Sequence, residues 1–180
     1  GVLTVQFAVS AWLAMLVGMM VTFGVAYLVA IPVLKLKGPF LALATMSINI
    51  IVYILLLGLS EYTGGASGLG GIPNLSVFGL SLSNQVLFYY FVWIVVAGII
   101  LFSMNIVQSH IGRLLRSIHD SEIATETLGA NVSKYKVMIF ALSAMFASLA
   151  GSLYAHYISF IAPPTFYISF SILLLIMVMV

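Results

Sequence analysis

The chain has 180 residues, of which 63% are hydrophobic and 6% are charged, and its net charge is +2. About a quarter of the residues of a soluble domain are charged, so this composition excludes that class and indicates a protein whose solvent is the bilayer. The sequence has no cysteine, which excludes disulfides and thiolate metal sites. The small positive charge indicates membrane orientation and not a nucleic-acid partner.

Apolar stretches long enough to cross a bilayer recur along the chain. A helix of about 20 apolar residues covers a hydrocarbon core roughly 30 Å thick. The sequence therefore predicts an all-α, polytopic transmembrane helical bundle with about five spans, forming a single domain over residues 1–180. The predicted spans are Val5 to Val33, Phe40 to Leu59, Val86 to Val107, Val137 to Ile158, and a fifth that begins near Tyr167. We also expect truncation at both ends, because the chain lacks an initial Met and stops within an apolar run.

The basic residues predict the orientation of these spans. All six fall in two short stretches, Lys35 with Lys37 and then Arg113 to Lys136. Two predicted spans separate the stretches, so the chain returns to the side that it left and every Lys and Arg lies on one face. Basic residues near span ends are retained in the cytoplasm. We therefore expect both stretches to be cytoplasmic and the loop Glu61 to Gln85 to lie outside.

The second span carries polar residues on one side. Thr45, Asn49 and Tyr53 are four residues apart and share one helical stripe. They either bond to neighbouring helices, at about 0.6 kcal/mol each, or line a translocation path. An Asn in mid-span costs free energy and tends to face a partner or a water-filled cavity, so both interpretations stay open.

A glycine-rich loop follows that span. Residues 63 to 71 include five glycines, among them Gly64, Gly65 and Gly68, and this density permits positive φ and close backbone approach. The loop is either a flexible connector or part of a gate or substrate passage. It is not a phosphate cradle, because a Walker A loop needs Lys followed by Ser or Thr. The chain cannot hydrolyse ATP by that route.

Two other function classes have sequence features in their favour. The run Gly65-Ala-Ser-Gly68 matches the Gly-x-Ser-Gly signature of rhomboid-like intramembrane serine proteases, with His156 as the conceivable base. However, Ser67 precedes a long polar loop and does not start a span. An ion- or proton-coupled secondary transporter or channel is the other alternative, although no pair of carboxylates lies inside a span to relay protons. We expect neither a metal site nor a cofactor.

Small residues recur every fourth position in the fourth span, which lets helix backbones approach closely. This spacing predicts a central place for that span in the bundle. The two rows are Ala144, Ser148 and Ser152, and Ala147, Gly151 and Ala155.

The segment 108–136 holds seven of the ten charged residues. Ser117, Asp120 and Ser121 are candidate N-caps, and Gly129 can take the left-handed conformation that ends a helix. A two-turn helix from Ser121 to Leu128 is therefore predicted. It is too short to span, so it either lies along the membrane surface or docks into a partner. Its expected apolar face is Ile123, Ala124, Thr127 and Leu128, and its expected polar face is Glu122, Thr125 and Glu126.

Residues 111–136, IGRLLRSIHDSEIATETLGANVSKYK, resemble the coupling segment of permease subunits in branched-chain amino acid ATP-binding-cassette importers. Residues 31–45, IPVLKLKGPFLALAT, are similar to that family's span entry, and residues 63–73, TGGASGLGGIP, to its external glycine loop. The likeness extends through residues 150–156 and 164–166, and so covers most of the chain after about residue 20. The present segment has Thr125 at a position that the family often fills with Ala.

The resemblance implies a permease of the bacterial inner membrane and not an enzyme. Its implied partners are cytoplasmic ATP-binding-cassette ATPase subunits, a second permease subunit, identical or different, an external substrate-binding protein and the lipid bilayer. Its implied substrates are branched-chain amino acids, with urea or a short amide as related alternatives. The candidate ATPase-coupling residues are Arg113, Arg116, Asp120, Glu122, Glu126 and Gly129, and the candidate substrate-path residues are Thr45, Asn49, Tyr53, Gly64, Gly65 and Gly68.

Overall fold

The computed structural model describes residues 2–6, 10–36, 39–73, 75–77, 80–81, 84–163, 171–173 and 176–177. Within these residues the helices are α1 Val2–Gln6, α2 Ala11–Val33, α3 Pro39–Gly58, α4 Ser60–Thr63, α5 Gln85–Gln108, α6 His110–Asp120, α7 Glu122–Thr127 and α8 Val132–Ile158, with a 3-10 turn at Gly65–Ser67. The strands are β1 Leu69–Gly70, β2 Ser76–Val77, β3 Leu80–Ser81 and β4 Phe160–Ile161.

Four of the described helices, α2, α3, α5 and α8, are long and apolar enough to cross a membrane. They confirm the all-α prediction and the first four predicted spans. The strands form only two short antiparallel pairs, β1 with β4 and β2 with β3. The predicted fifth span lies mostly outside the described residues, in which residues 171–173 and 176–177 are helical.

Two predicted span boundaries were wrong. The first spanning helix begins at Ala11, because α1 is a separate short helix ahead of it. The last described span begins at Val132 and not at Val137. Asn131 caps it by accepting a hydrogen bond from the backbone N–H of Lys134 (3.1 Å). A helix can thus start in water and carry Lys134 and Lys136 before its apolar part begins.

Helix α8 runs antiparallel to α2 and α5. Near the end of α8, Leu153 lies in one buried cluster with Met15 and Phe88, which stand near the starts of α2 and α5. In mid-span, Thr22 of α2 donates a hydrogen bond to Ser148 of α8 (3.2 Å). The end of α2 therefore lies at the same end of the bundle as the start of α8.

This arrangement gives the bundle two distinct ends. The described basic residues, Lys35, Arg113, Arg116, Lys134 and Lys136, follow α2, lie on α6 or begin α8, so they gather at what we call the basic end. Lys37 lies outside the described residues. The glycine-rich loop and the end of α8 form the opposite, glycine end. The one-sided distribution expected from the sequence is thus present in the fold.

Helix α8 contacts α2, α5, α6 and α7, which confirms its central place. Among its small residues, Ser148 meets Thr22 of α2, and Ala155 is 1% exposed. Ala147 is exposed, however, and nothing lies within 4 Å of the position of the missing Cβ of Gly151, so only part of the two rows faces a neighbour. Helix α3 is peripheral by comparison, since none of its side chains is buried in the described structure.

Candidate functional site

The short helix α7 lies at the basic end, and its bounds are close to the predicted ones. Its N-cap is Ser121, whose hydroxyl oxygen accepts a hydrogen bond from the backbone N–H of Ala124 (3.3 Å). Gly129 follows the helix with a φ of 85°, the left-handed conformation expected of a residue that ends a helix. Ser121 is thus the N-cap among the three candidates, and the predicted two-turn helix is confirmed.

The predicted apolar face of α7 points away from the chain: Ile123 and Leu128 are 78% and 86% exposed. One residue of the predicted polar face is misplaced. Thr125 was grouped with Glu122 and Glu126, which are exposed, but it is only 4% exposed, and its hydroxyl donates to the Ser121 carbonyl oxygen (2.8 Å). The internal hydrogen bond removes the cost of burying the threonine hydroxyl. The apolar side chains are left facing away from the chain.

Acidic side chains flank this exposed apolar surface. Glu126 is exposed, and Glu122 forms an ion pair with Lys136 in the second turn of α8. An ion pair of this partial exposure is worth about 0–1 kcal/mol, so it orients α7 on α8 without contributing much stability.

Helix α6 was not anticipated, although its apolar residues Ile111, Leu114 and Ile118 have helical spacing. It turns back sharply on the end of α5. A Cβ on Gly112 would lie 2.0 Å from the carbonyl oxygen of Val107, so only glycine fits at this position. The predicted coupling residues Arg113, Arg116 and Asp120 therefore lie on a helix and not in a loop.

The three charged residues of α6 do not share one site. Arg113 is exposed. Arg116 borders a groove of about 370 Å³ along the C-terminal half of α5. The other walls of this groove include Ile99 and Met104. It also borders a second groove of about 400 Å³ together with Asp120. Both grooves lie on the α5–α6 side, whereas Glu126 and Gly129 lie on or after α7.

A third groove lies among the spanning helices α2, α3 and α8 and has a volume of about 340 Å³. Its two hydroxyl groups belong to Thr22 and Thr45. Thr45 donates to the Ala42 carbonyl oxygen of its own helix (2.9 Å). The remaining walls are apolar: Val21, Val25, Ala26, Val29, Ile48 and Phe140. Of the predicted polar stripe, Thr45 lines this groove, whereas Asn49 and Tyr53 are half-buried on α3 outside its lining.

The glycine loop is built against the end of α8. Gly64, Gly65 and Gly68 all have positive φ. A Cβ on Gly68 would lie 2.6 Å from the Ile161 carbonyl oxygen. Strand β1 pairs with β4, directly after α8, and the backbone N–H of Ile72 donates to the Ser159 carbonyl oxygen (3.3 Å). The loop thus has a defined shape.

His156, in the last turn of α8, holds the same loop. Its side chain is 3% exposed, and its Nδ1 lies 2.8 Å from the Pro73 carbonyl oxygen. The sequence identified this residue only as a conceivable protease base. Because a carbonyl oxygen only accepts, Nδ1 carries the hydrogen and Nε2 is the nitrogen that could accept one. In the described structure, however, no hydrogen bond joins the buried His156 to Ser67, which is exposed. Within the described parts of the chain, no group of three or more His, Asp or Glu side chains could hold a metal ion.

Comparison with known proteins gives one family and several relatives. The family described as branched-chain amino acid transport system / permease component matches residues 1–180. The chain is 31% identical over 178 residues to the high-affinity branched-chain amino acid transport system permease protein LivM of Salmonella typhimurium, and 30% identical over 178 residues to that of Escherichia coli. It is 25% identical over 148 residues to a probable branched-chain amino acid transport permease protein LivM of Methanocaldococcus jannaschii.

The matches cover most of this chain but less than half of each relative. The two bacterial alignments include 86% of this chain and 42% of the relative, and the archaeal alignment includes 81% and 42%. No solved structure gives a significant match.

Proposed function

The chain belongs to the family of branched-chain amino acid transport permease components, and from that membership we propose that it forms part of the membrane-spanning subunit of an ATP-binding-cassette importer. It would lie in the bacterial inner membrane with the basic end in the cytoplasm, since basic residues near span ends are retained there. ATP hydrolysis would take place on a separate subunit. A second permease subunit and an external binding protein would complete the assembly.

The observation that carries this proposal is the outward apolar surface of α7. Ile123 and Leu128 are exposed at the basic end, beyond the membrane-spanning part of the neighbouring helices. Interfacial membrane helices have Lys or Arg on their polar face, but α7 carries Glu122 and Glu126. The anionic cytoplasmic leaflet would repel the carboxylate of Glu126, whereas that of Glu122 is paired with Lys136. Docking of α7 into a groove of a protein partner is therefore favoured over binding to the membrane surface.

Helix α6 differs from α7 in its charge. It carries Arg113 and Arg116 beside the end of a spanning helix. Its basic side chains suit the headgroup region. We propose that α7 and the turn at Gly129 make the main ATPase contact. Arg113, Arg116 and Asp120 stay secondary candidates for that contact.

The α2–α3–α8 groove supports an aliphatic substrate. Valine, alanine and isoleucine side chains make up most of its walls, with hydroxyls only from Thr22 and Thr45. Such walls suit the aliphatic side chain of a branched-chain amino acid, which urea and short amides lack, while its ammonium and carboxylate groups need polar partners beyond these two hydroxyls. We propose that branched-chain amino acids pass along this groove. Closure of the ATPase pair would move α7 and rearrange the helices that border it.

Transport in proteoliposomes tests this function against the carrier alternative. The full-length permease is reconstituted with its ATPase and binding-protein partners, and uptake of labelled leucine and labelled urea is measured. We expect leucine accumulation that requires ATP and is lost when the Walker A lysine of the ATPase partner is replaced by alanine. Uptake by the permease alone, driven by a proton gradient without ATP, would identify a secondary transporter instead.

A further inference from the structure

We propose that α8 connects the ATPase-docking helix α7 to the glycine loop at the other end of the bundle, and that His156 is the positioning residue that locks the loop to α8. The proposal rests on the proposed importer function, since it needs an ATPase that moves α7. It assigns a role to the buried histidine and to the glycine loop, which the importer proposal leaves without one.

The glycine loop is attached to α8 by contacts of three kinds. His156 donates from Nδ1 to the Pro73 carbonyl oxygen (2.8 Å). Ile72 donates its backbone N–H to the Ser159 carbonyl oxygen (3.3 Å), and β1 pairs with β4. Among these three contacts, only the first comes from a side chain on α8 itself. The other two involve the chain that follows the helix, so His156 is the residue of α8 that ties the loop to the helix by a hydrogen bond.

Apolar packing keeps the loop in place beside that hydrogen bond. Ile72 and Leu75, on either side of the Pro73 segment, are 2% and 1% exposed. Leu75 belongs to the buried cluster that contains Leu153, one turn before His156 on α8. The hydrogen bond beside this packing is partly buried, since His156 is buried and Pro73 is exposed, and partial removal from water strengthens it.

The opposite end of α8 is attached to α7. Lys136 pairs with Glu122, and Val132 and Val137 are buried near the start of α8. Thr125 is buried in the face of α7 that points into the chain. A displacement of α7 is therefore delivered to α8 at its first two turns.

Helix α8 itself is suited to carry that displacement. It is one continuous helix of 27 residues without proline, about 40 Å long at 1.5 Å per residue. Sharp kinks in helices arise at Pro, Gly/Ser pairs or bulges. The one Gly/Ser pair of α8 is Gly151 with Ser152. Nothing lies within 4 Å of the position of the missing Cβ of Gly151, but the helix runs unbroken through the pair. The helix can move as a rigid body from the basic end to the glycine end.

The direct test compares two replacements of His156 in the full transporter. Asn places its amide nitrogen near the position of Nδ1 and so keeps the hydrogen-bond donor. Leu has nearly the same shape as Asn but has no donor. A cysteine at the exposed Ser67 reports on the loop through its labelling rate, with and without a non-hydrolysable ATP analogue. We expect the analogue to change that rate by about fivefold or more in the parent and in His156→Asn, and to have no effect in His156→Leu.

A second pair of variants tests the attachment from the loop side. Gly68 and Gly71 have almost the same φ, 77° and 76°, but only a Cβ on Gly68 meets the chain after α8. Gly68→Ala should therefore abolish the nucleotide effect on the Ser67→Cys reporter, and Gly71→Ala should keep it. If His156→Leu does not accumulate in the membrane, this pair of glycine variants still tests whether attachment of the loop to the end of α8 is needed for the nucleotide effect.

The outcomes separate this proposal from the importer function. ATPase association and basal hydrolysis should be unchanged in His156→Leu, because the residue is at the end opposite to α7. An equal nucleotide effect in the parent and in His156→Leu, or none in the parent although the ATPase is bound, would overturn the role of α8 and His156. Absence of the ATPase from the purified parent would instead overturn the proposed function.

Discussion

Gly129 shows how one residue shapes the end of α7. Its φ of 85° lies in a region that L side chains rarely adopt, and nothing stands within 4 Å of the position of its missing Cβ. The constraint at this residue is therefore backbone conformation and not space. A sequence pattern suffices to predict such a residue, because a helix followed by glycine is a local feature.

Replacing Gly129 tests that constraint. Gly129→Val should destabilise the end of α7 by about 1–2 kcal/mol, the cost of a left-handed residue with a Cβ, and should weaken ATPase association. Gly129→Asn is the matched control, since Asn tolerates this conformation. Co-purification of the ATPase with each variant is the measurement. Equal loss in both variants would show that side-chain size and not φ matters here.

Gly112 is constrained by space instead. A Cβ would lie 2.0 Å from the Val107 carbonyl oxygen, so Gly112→Ala should disrupt the turn between α5 and α6 and reduce the amount of folded permease in the membrane. Gly98→Ala, on α5 with nothing within 4 Å, should leave that amount unchanged. Immunoblotting of membrane fractions and thermal stability in detergent would measure both. Normal accumulation of Gly112→Ala would contradict the tight turn.

Among the elements, α7 could be predicted in position but not in orientation. The cap at Ser121 and the stop at Gly129 are local, so the sequence contains them. The prediction grouped Ile123 with Leu128 on one face and Thr125 with Glu122 and Glu126 on the other. Ile123 and Leu128 are indeed exposed together, but Thr125 is buried, with its hydroxyl donating to the Ser121 carbonyl oxygen. Which face a helix buries depends on its neighbours, and these are not visible in a short sequence pattern.

The stripe on α3 likewise has a spacing that the sequence shows and neighbours that it does not. Only the fold shows that Thr45 borders the α2–α3–α8 groove and that Asn49 lies outside the groove lining. Helix α6 was missed altogether, because its arginines and histidines obscured a helical spacing of apolar residues. Tertiary position, and not secondary structure, decides which residues of the stripe border the groove.

Asn49→Leu distinguishes a transport role from a structural one. If the stripe continues the substrate path beyond the groove, leucine uptake should fall severalfold at normal permease abundance, since a polar group that faces the substrate is lost. Asn105→Leu, the same change at an exposed position of α5, should have no effect on uptake. A lower abundance of Asn49→Leu with normal uptake per molecule would show that Asn49 only bonds to a neighbouring helix.

At the scale of the whole molecule, the sequence was sufficient to predict the four spans and their relative directions. Apolar length and charge position are properties that each segment carries by itself. The central place of α8 was also predictable from its small residues. The attachment of the glycine loop to α8 was not, because it joins Pro73 to His156 across 83 residues.

The topology can be tested by single cysteines at the two ends. Ser67 and Ser133 are both exposed. A membrane-impermeant thiol reagent should label Ser67→Cys in intact cells and Ser133→Cys only after the membrane is opened. Labelling of both in intact cells would contradict the assignment of the basic end to the cytoplasm.

The central claim is that α7 docks an ATPase, and site-specific cross-linking tests it most directly. Leu128 is 86% exposed at the basic end. A photoreactive cross-linker attached to Leu128→Cys in the full transporter should join the permease to its ATPase subunit, whereas the same group at Ser67→Cys should not. Cross-linking of Leu128→Cys to lipid alone, with the ATPase present and active, would contradict the account.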